Sequence, residues 1–117
     1  MDIDLEALNA PRAGSMRGLL GVRFVEASLD RLVAELEIRD ELRTMGGRAH
    51  GGTLMAFADI MGATATVLNL PEGASTTTLE SKTNFISAGM GDVLRAEAEI
   101  MPLPSDGDLV VPLHLVT

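Results

Sequence analysis

Gly51–Leu68, GGTLMAFADIMGATATVL, decides the fold. At a helical advance of roughly 100° per residue, Leu54, Phe57, Ala58, Met61, Ala65 and Leu68 fall on one apolar stripe. Ile60 and Val67 lie beyond it, so the helix is apolar round most of its circumference and needs cover on several sides. Asn69 and Pro71 end it. On either side the period changes. Leu32, Ala34, Leu36 and Ile38 alternate with Val33, Glu35, Glu37 and Arg39, and Leu94, Ala96, Ala98 and Ile100 alternate with Val93, Arg95, Glu97 and Glu99. Both stretches predict a strand with one buried face and one largely wet one.

Further strands are expected at Gly21 to Ala27 and at the Thr-rich Ser75 to Ile86, where Glu80, Lys82 and Asn84 share one face and Leu79 and Phe85 the other. Asp4 to Asn9 predicts a short helix with Leu5 and Leu8 on one side, stopped by Pro11. Asp40 to Arg48 reads as a loop. One long helix among antiparallel strands suggests a curled sheet wrapped around it, an α+β fold in a single domain over residues 1–117.

Composition removes several functions. The formal charge of −8 disfavours nucleic acid and acidic membranes, and 3% aromatic content without Trp or Tyr removes base-stacking platforms. No Cys is present, which excludes disulfides, thiolate metal sites and a Cys nucleophile. Asp2, Asp4 and Glu6 stand where a secretory signal needs basic residues, and Leu54 to Leu70, interrupted by Asp59 and several Gly and Thr residues, reads as too short for a membrane span. The expectation is a cytoplasmic protein.

Asp59 is the lone charge between Gly51 and Leu70, on the helix side shared by Met55, Gly62 and Thr66. A carboxylate in apolar surroundings is costly unless it is paired, hydrogen-bonded or used in chemistry. A solvated position, or satisfaction by the Thr66 hydroxyl, accounts for it as well as a catalytic role does. Gly62 and Ala63 leave room for a ligand or another subunit. His50, Gly51 and Gly52 precede the helix, where unpaired N–H groups and the positive end of the helix dipole face outward. Glycines there let a substrate carbonyl approach the backbone, as an oxyanion site requires, although a plain loop-to-helix turn has the same residues. His50 fits a cap or packing group at least as well as a base, and His114 lies far off in a strand-like segment. No zinc-ligand spacing, phosphate loop or dinucleotide motif is present, so neither a metal nor a cofactor is expected.

His50-Gly51-Gly52, Asp59 nine positions after the His, Ser81-Lys82-Thr83-Asn84-Phe85 and Gly91-Asp92-Val93 together resemble the PaaI-like hotdog-fold acyl-CoA thioesterases over roughly Gly21 to Glu99. The resemblance implies a long central helix wrapped by an antiparallel sheet, a homodimer or homotetramer, and active sites at the subunit interface. It implies that Asp59 activates water or attacks the thioester itself, and that the Gly51 N–H binds the thioester carbonyl. Gly52, Met55, Gly62 and Lys82 are the accompanying candidates for substrate binding, and Arg48, Lys82 and Arg95 for the CoA phosphates.

The chain departs from these relatives in two places. Many carry Asn or Gln six positions before the His, where this chain has Thr44, which also hydrogen-bonds but reaches less far. Thr78 occupies a position from which some relatives offer a hydroxyl to the water. After Glu99 the relatives continue with a turn and two long strands. Here Pro102, Pro104 and Pro112 intervene, Leu109 to Val116 predicts one strand suited to an edge or bulge, and the last strand is expected to be missing, as in a truncated member. Two other readings compete. A hotdog hydratase or dehydratase needs a histidine–carboxylate pairing in a different motif, which is not found. A non-catalytic acyl-CoA-binding module is kept open by Thr44 and by the C-terminal segment.

Overall fold

In the computed structural model, which describes residues 3–11, 14–69, 91–102 and 109–117, the two alternating stretches form the centre of an antiparallel sheet. β1 (Arg23–Ala27), β2 (Arg31–Glu37), β3 (Val93–Glu99) and β6 (Leu113–Val116) lie in the order β1-β2-β3-β6. Two short strands, β4 (Met101–Pro102) and β5 (Leu109–Val110), pair separately. The register sets Leu32 opposite Ala98, Ala34 opposite Ala96 and Leu36 opposite Leu94, so the apolar alternates meet on one face. α3 (Gly51–Leu68) packs there and buries Thr53, Phe57, Met61 and Ala65. The alanines at the sheet's centre leave room for Phe57 and Met61, which are fully buried with Phe24, Leu32, Leu36 and Leu94. Each such side chain contributes roughly 1.5–3 kcal/mol on leaving water.

By length and composition α3 is apolar enough to cross a membrane, contrary to the expectation above. In this fold one side of it is taken up by the sheet.

The other face of the sheet is charged, but it is not uniformly wet. Val33 is fully buried there. Its cross-strand partners are Glu26 and Glu97. Arg31 reaches both carboxylates, at 3.5 and 3.4 Å, and Arg95 joins Glu97 (3.1 Å) to Glu35 (3.6 Å), which also meets Arg23 at 2.8 Å. Three arginines and three glutamates thus make one continuous chain of ion pairs around a valine.

The N-terminal segment closes the β1 edge. α1 (Leu5–Leu8) is capped by Asp4, whose Oδ1 accepts from the Glu6 and Ala7 N–H groups. It ends at Asn9, whose carboxamide takes the place of a neighbouring strand: its Nδ2 donates to the Phe24 carbonyl (2.8 Å) and its Oδ1 accepts from the Phe24 N–H (2.7 Å). An edge satisfied this way offers less to a stray strand. α2 (Met16–Leu20) was not anticipated, though its signals stand in the sequence: Ser15 caps the Gly18 N–H, and Gly21 stops the helix at φ 79°.

Leu109 to Val116 forms two strands rather than one. Pro112 has no N–H to give a ladder, so the chain breaks there, and β5 pairs with β4 while β6 pairs with β3. The Pro112 carbonyl still accepts from the Glu99 N–H at 3.2 Å. The expected strand at Ser75 to Ile86, and with it Thr78 and Lys82, lies outside the described residues.

Candidate active site

The site is built at the start of α3 and along its outward side. A helix leaves its first N–H groups without intrahelical partners, and here their fates differ. The Thr53 and Leu54 N–H groups donate to the His50 carbonyl at 2.9 and 3.2 Å. The Gly52 N–H donates to His50 Nδ1 at 2.8 Å. Among the described residues the Gly51 N–H has no acceptor. Among the described residues one donor is therefore left without an acceptor at the positive end of an 18-residue helix.

His50 is the N-cap, with φ −64° and ψ 139°. A nitrogen that accepts carries no proton, so in the neutral ring the N–H is on Nε2. Gly52 gives the imidazole room over the helix end, since a Cβ at that position would stand 3.0 Å from His50 Nδ1 and press the ring aside by a few tenths of an ångström.

The approach to the helix is a tight turn. Two short 3-10 segments, Asp40–Leu42 and Met45–Gly47, lead into it, and Gly46 and Gly47 both take positive φ. The Thr44 N–H donates to the Arg48 carbonyl at 2.7 Å, and Arg43 and Ala49 form an isolated bridge. The Leu42 carbonyl accepts from the His50 N–H (2.9 Å) and the Thr53 hydroxyl (3.1 Å), which fixes the orientation of the His50–Gly51 step. Thr44 is exposed and its hydroxyl makes no capping bond.

Asp59 lies on the outward side of α3, exposed, in line with Gly52, Met55, Gly62 and Thr66. Met55 is 43% exposed, and a Cβ at Gly62 would meet nothing within 4 Å, so there is open space beside the carboxylate. The Thr66 hydroxyl donates to the Gly62 carbonyl at 2.8 Å. Eight residues of helix separate Gly51 from Asp59, a rise of about 12 Å. Of the cations considered for phosphate binding, Arg95 is engaged with Glu35 and Glu97, whereas Arg48 is exposed and makes no ion pair among the described residues.

Sequence reasoning missed two contributors, the Leu42 carbonyl and the Thr53 hydroxyl. Only Thr53, at the third helical position, carried a legible hint, as a buried polar residue that needs a partner.

Comparison with known proteins bears on the family and the fold. The family model described as the thioesterase superfamily matches residues 46–103. The chain is 29% identical over 103 residues to the 1,4-dihydroxy-2-naphthoyl-CoA hydrolase of Escherichia coli (strain K12), covering 88% of this chain and 76% of that protein. The crystal structure of a mutant of thioesterase PA1618 from Pseudomonas aeruginosa superposes with a TM-score of 0.88 at 26% identity, over 99% of this chain and 84% of that one. The E. coli PaaI protein from the phenylacetic acid degradation operon shares the fold, with a TM-score of 0.74 at 19% identity over 86% and 70% of the two chains.

Proposed function

The chain belongs to the thioesterase superfamily and has the hotdog fold, and from that premise we propose that it hydrolyses an acyl-CoA thioester to the free acid and CoA in the cytoplasm. The observation that carries this reading is the Gly51 N–H, without an acceptor among the described residues, at the start of the helix that also bears Asp59. The thioester oxygen gains negative charge as the tetrahedral intermediate forms, so a donor aimed at it acts on the transition state more than on the substrate. Asp59 takes the proton of the attacking water, or attacks the carbonyl carbon itself to give an acyl-aspartyl anhydride that water afterwards hydrolyses to the free acid, restoring the carboxylate. The carbon–sulfur bond then breaks and CoA departs as a thiolate. Thiols ionise near about pH 8.5, so this leaving group needs little protonation and a sparse site is sufficient. Thr44, on the turn before the helix, supplies a hydroxyl to the water or the carbonyl, and His50 holds the helix end in shape.

A rise of about 12 Å is too long for one carbonyl to touch both Gly51 and Asp59 of the same chain, since reacting atoms must come within roughly 3–3.5 Å. The site is therefore assembled from Gly51 of one subunit and Asp59 of another in a homodimer or homotetramer. Met55, Gly52 and the open space at Gly62 receive the acyl group, and Arg48 meets a CoA phosphate. An aromatic acyl group is the first to try, because the E. coli relative is named for a naphthoyl-CoA.

Thiol release from a panel of acyl-CoAs tests the proposal, with Asp59→Asn and Gly51→Pro beside the wild type. Proline is tolerated at the first helical position and removes only the N–H in question, and the extended His50 backbone suits a residue before proline. Each variant should be inactive alone. Mixed and re-equilibrated, they should regain about a quarter of the wild-type activity, through heterodimers with one intact site. Equal turnover by wild type and Asp59→Asn would sink the role of Asp59, and failure of the mixture to recover would sink the shared site. Binding without turnover in every form would favour a non-catalytic acyl-CoA-binding module.

A further inference from the structure

The Arg43 guanidinium is the largest polar construction near the site to which the chemistry above gives no role. Its side chain is only 17% exposed. It donates to three main-chain carbonyls in three segments: Nε to Ile38 at the end of β2 (3.2 Å), Nη1 to Gly47 in the turn (2.6 Å) and Nη2 to Gly91 just before β3 (3.1 Å). Nη2 also stands 3.5 Å from Asp92 Oδ1, but that carboxylate is fully exposed, so the pair adds little.

The segment so held carries both polar groups of the Gly51 half-site. Thr44 is the next residue, and the turn from Thr44 to Arg48 runs directly into His50 and Gly51. Among the described residues the other hydrogen bonds of the stretch from Thr44 to Gly51 are local: Thr44 to Arg48, Gly47 to Thr44 and His50 to Leu42, with the Thr53 hydroxyl also on Leu42. Such bonds shape the turn but do not set where it sits over the sheet. The Arg43 side chain ties it to the sheet, because two of its acceptors belong to the sheet ends and the third to the turn. This directional tie adds to the non-directional packing of Ala49 and Leu42 against the core. Gly46 and Gly47, both at positive φ, make this backbone intrinsically permissive, so an external tie has most effect here.

We infer that Arg43 is a positioning residue for hydrolysis, holding Thr44 and the Gly51 N–H in one fixed relation to the sheet and so to the thioester carbonyl. The inference rests on the hydrolytic reading above. A planar guanidinium with five donors can serve three carbonyls lying in different directions, whereas an ammonium group is a compact point charge. A displacement of about 1 Å at an oxyanion donor is enough to cost on the order of 100-fold in rate.

The test measures kcat and KM for Arg43→Ala and Arg43→Lys, well below the melting temperature of each, with Gly51→Pro and Asp59→Asn as controls. Both Arg43 variants should lose about 10- to 100-fold in kcat while KM stays within about threefold, because a donor is misaligned and no substrate contact is removed. Guanidinium ion at tens of millimolar should restore part of the kcat of Arg43→Ala and none of that of Gly51→Pro. A kcat of wild-type size in folded Arg43→Ala, a change confined to KM, or a loss that guanidinium does not relieve overturns the inference. Should Arg43→Ala not fold, Arg43→Lys decides alone: it keeps the charge and the stem, and wild-type kcat in it refutes the positioning role. If the two controls retain activity, the hydrolytic reading itself has failed; if they lose it and the Arg43 variants do not, only the role of Arg43 has.

Discussion

The two sides of α3 obey different rules. The side towards the sheet carries Thr53, Phe57, Met61 and Ala65, all buried. The outward side carries Gly52, Met55, Asp59, Gly62 and Thr66, none of them buried. Stability is concentrated on the first, where apolar area leaves water, and the second is free to hold a charge, small residues and open space. The difference teaches that a helix in a small domain can separate holding from doing by rotation alone. Substitutions of the apolar residues on the sheet side should then act mainly on melting, whereas substitutions on the outward side should reach the chemistry whatever they do to melting.

The most severe challenge to that division is Phe57→Ala. Truncating a fully buried phenylalanine costs about 3–5 kcal/mol through lost transfer energy and the cavity left behind. Urea titration should show the loss, and kcat at low temperature should remain close to wild type; a large fall in kcat with unchanged stability would break the comparison. Next is the helix start. His50→Ala leaves the Gly52 N–H without its cap and should cost about 0.5–2 kcal/mol, most of which His50→Asn should recover, because asparagine caps well. Recovery of neither stability nor activity would show that the ring does more than cap.

Gly62→Ala sharpens the comparison from the outward side. A mid-helix glycine is roughly 0.5–1 kcal/mol worse than alanine, and a Cβ there meets nothing within 4 Å. The variant should melt higher while KM for the acyl-CoA rises, an opposition that calorimetry and steady-state kinetics together would read. The smallest effect belongs to the charged face of the sheet. The hydrogen bond from Arg95 is the main cause holding the Glu97 carboxyl below its ordinary value, with the charges of Arg31 and Arg95 assisting. A carboxyl depressed in the folded state stabilises above its unfolded pKa and loses that contribution as the pH falls through the folded value. Glu97→Gln should therefore lower stability slightly at neutral pH and leave it unchanged at the acid extreme, so that urea titrations across pH show a flatter acid limb.

Much of this was legible in the sequence, because periodicity is a local property. The stripe in Gly51–Leu68 and the alternation around Ala34 and Ala96 specify helix and strands through the angle at which successive side chains leave the backbone. Asp59 stood out by its charge, and His50-Gly51-Gly52 by its place before an apolar helix. Tertiary structure alone decided the rest. Val33 belongs by alternation to the wet face, and only pairing with two strands that bring Glu26 and Glu97 beside it buries it. Arg43 looks like any loop arginine until folding brings Gly91, 48 residues later, within 3.1 Å of its Nη2. That the Gly51 N–H is the donor left over among the described residues depends on where the His50 ring and the Leu42 carbonyl come to rest. A pattern of residue types fixes the direction in which groups point, whereas the partners they find depend on segments the chain brings together only when folded.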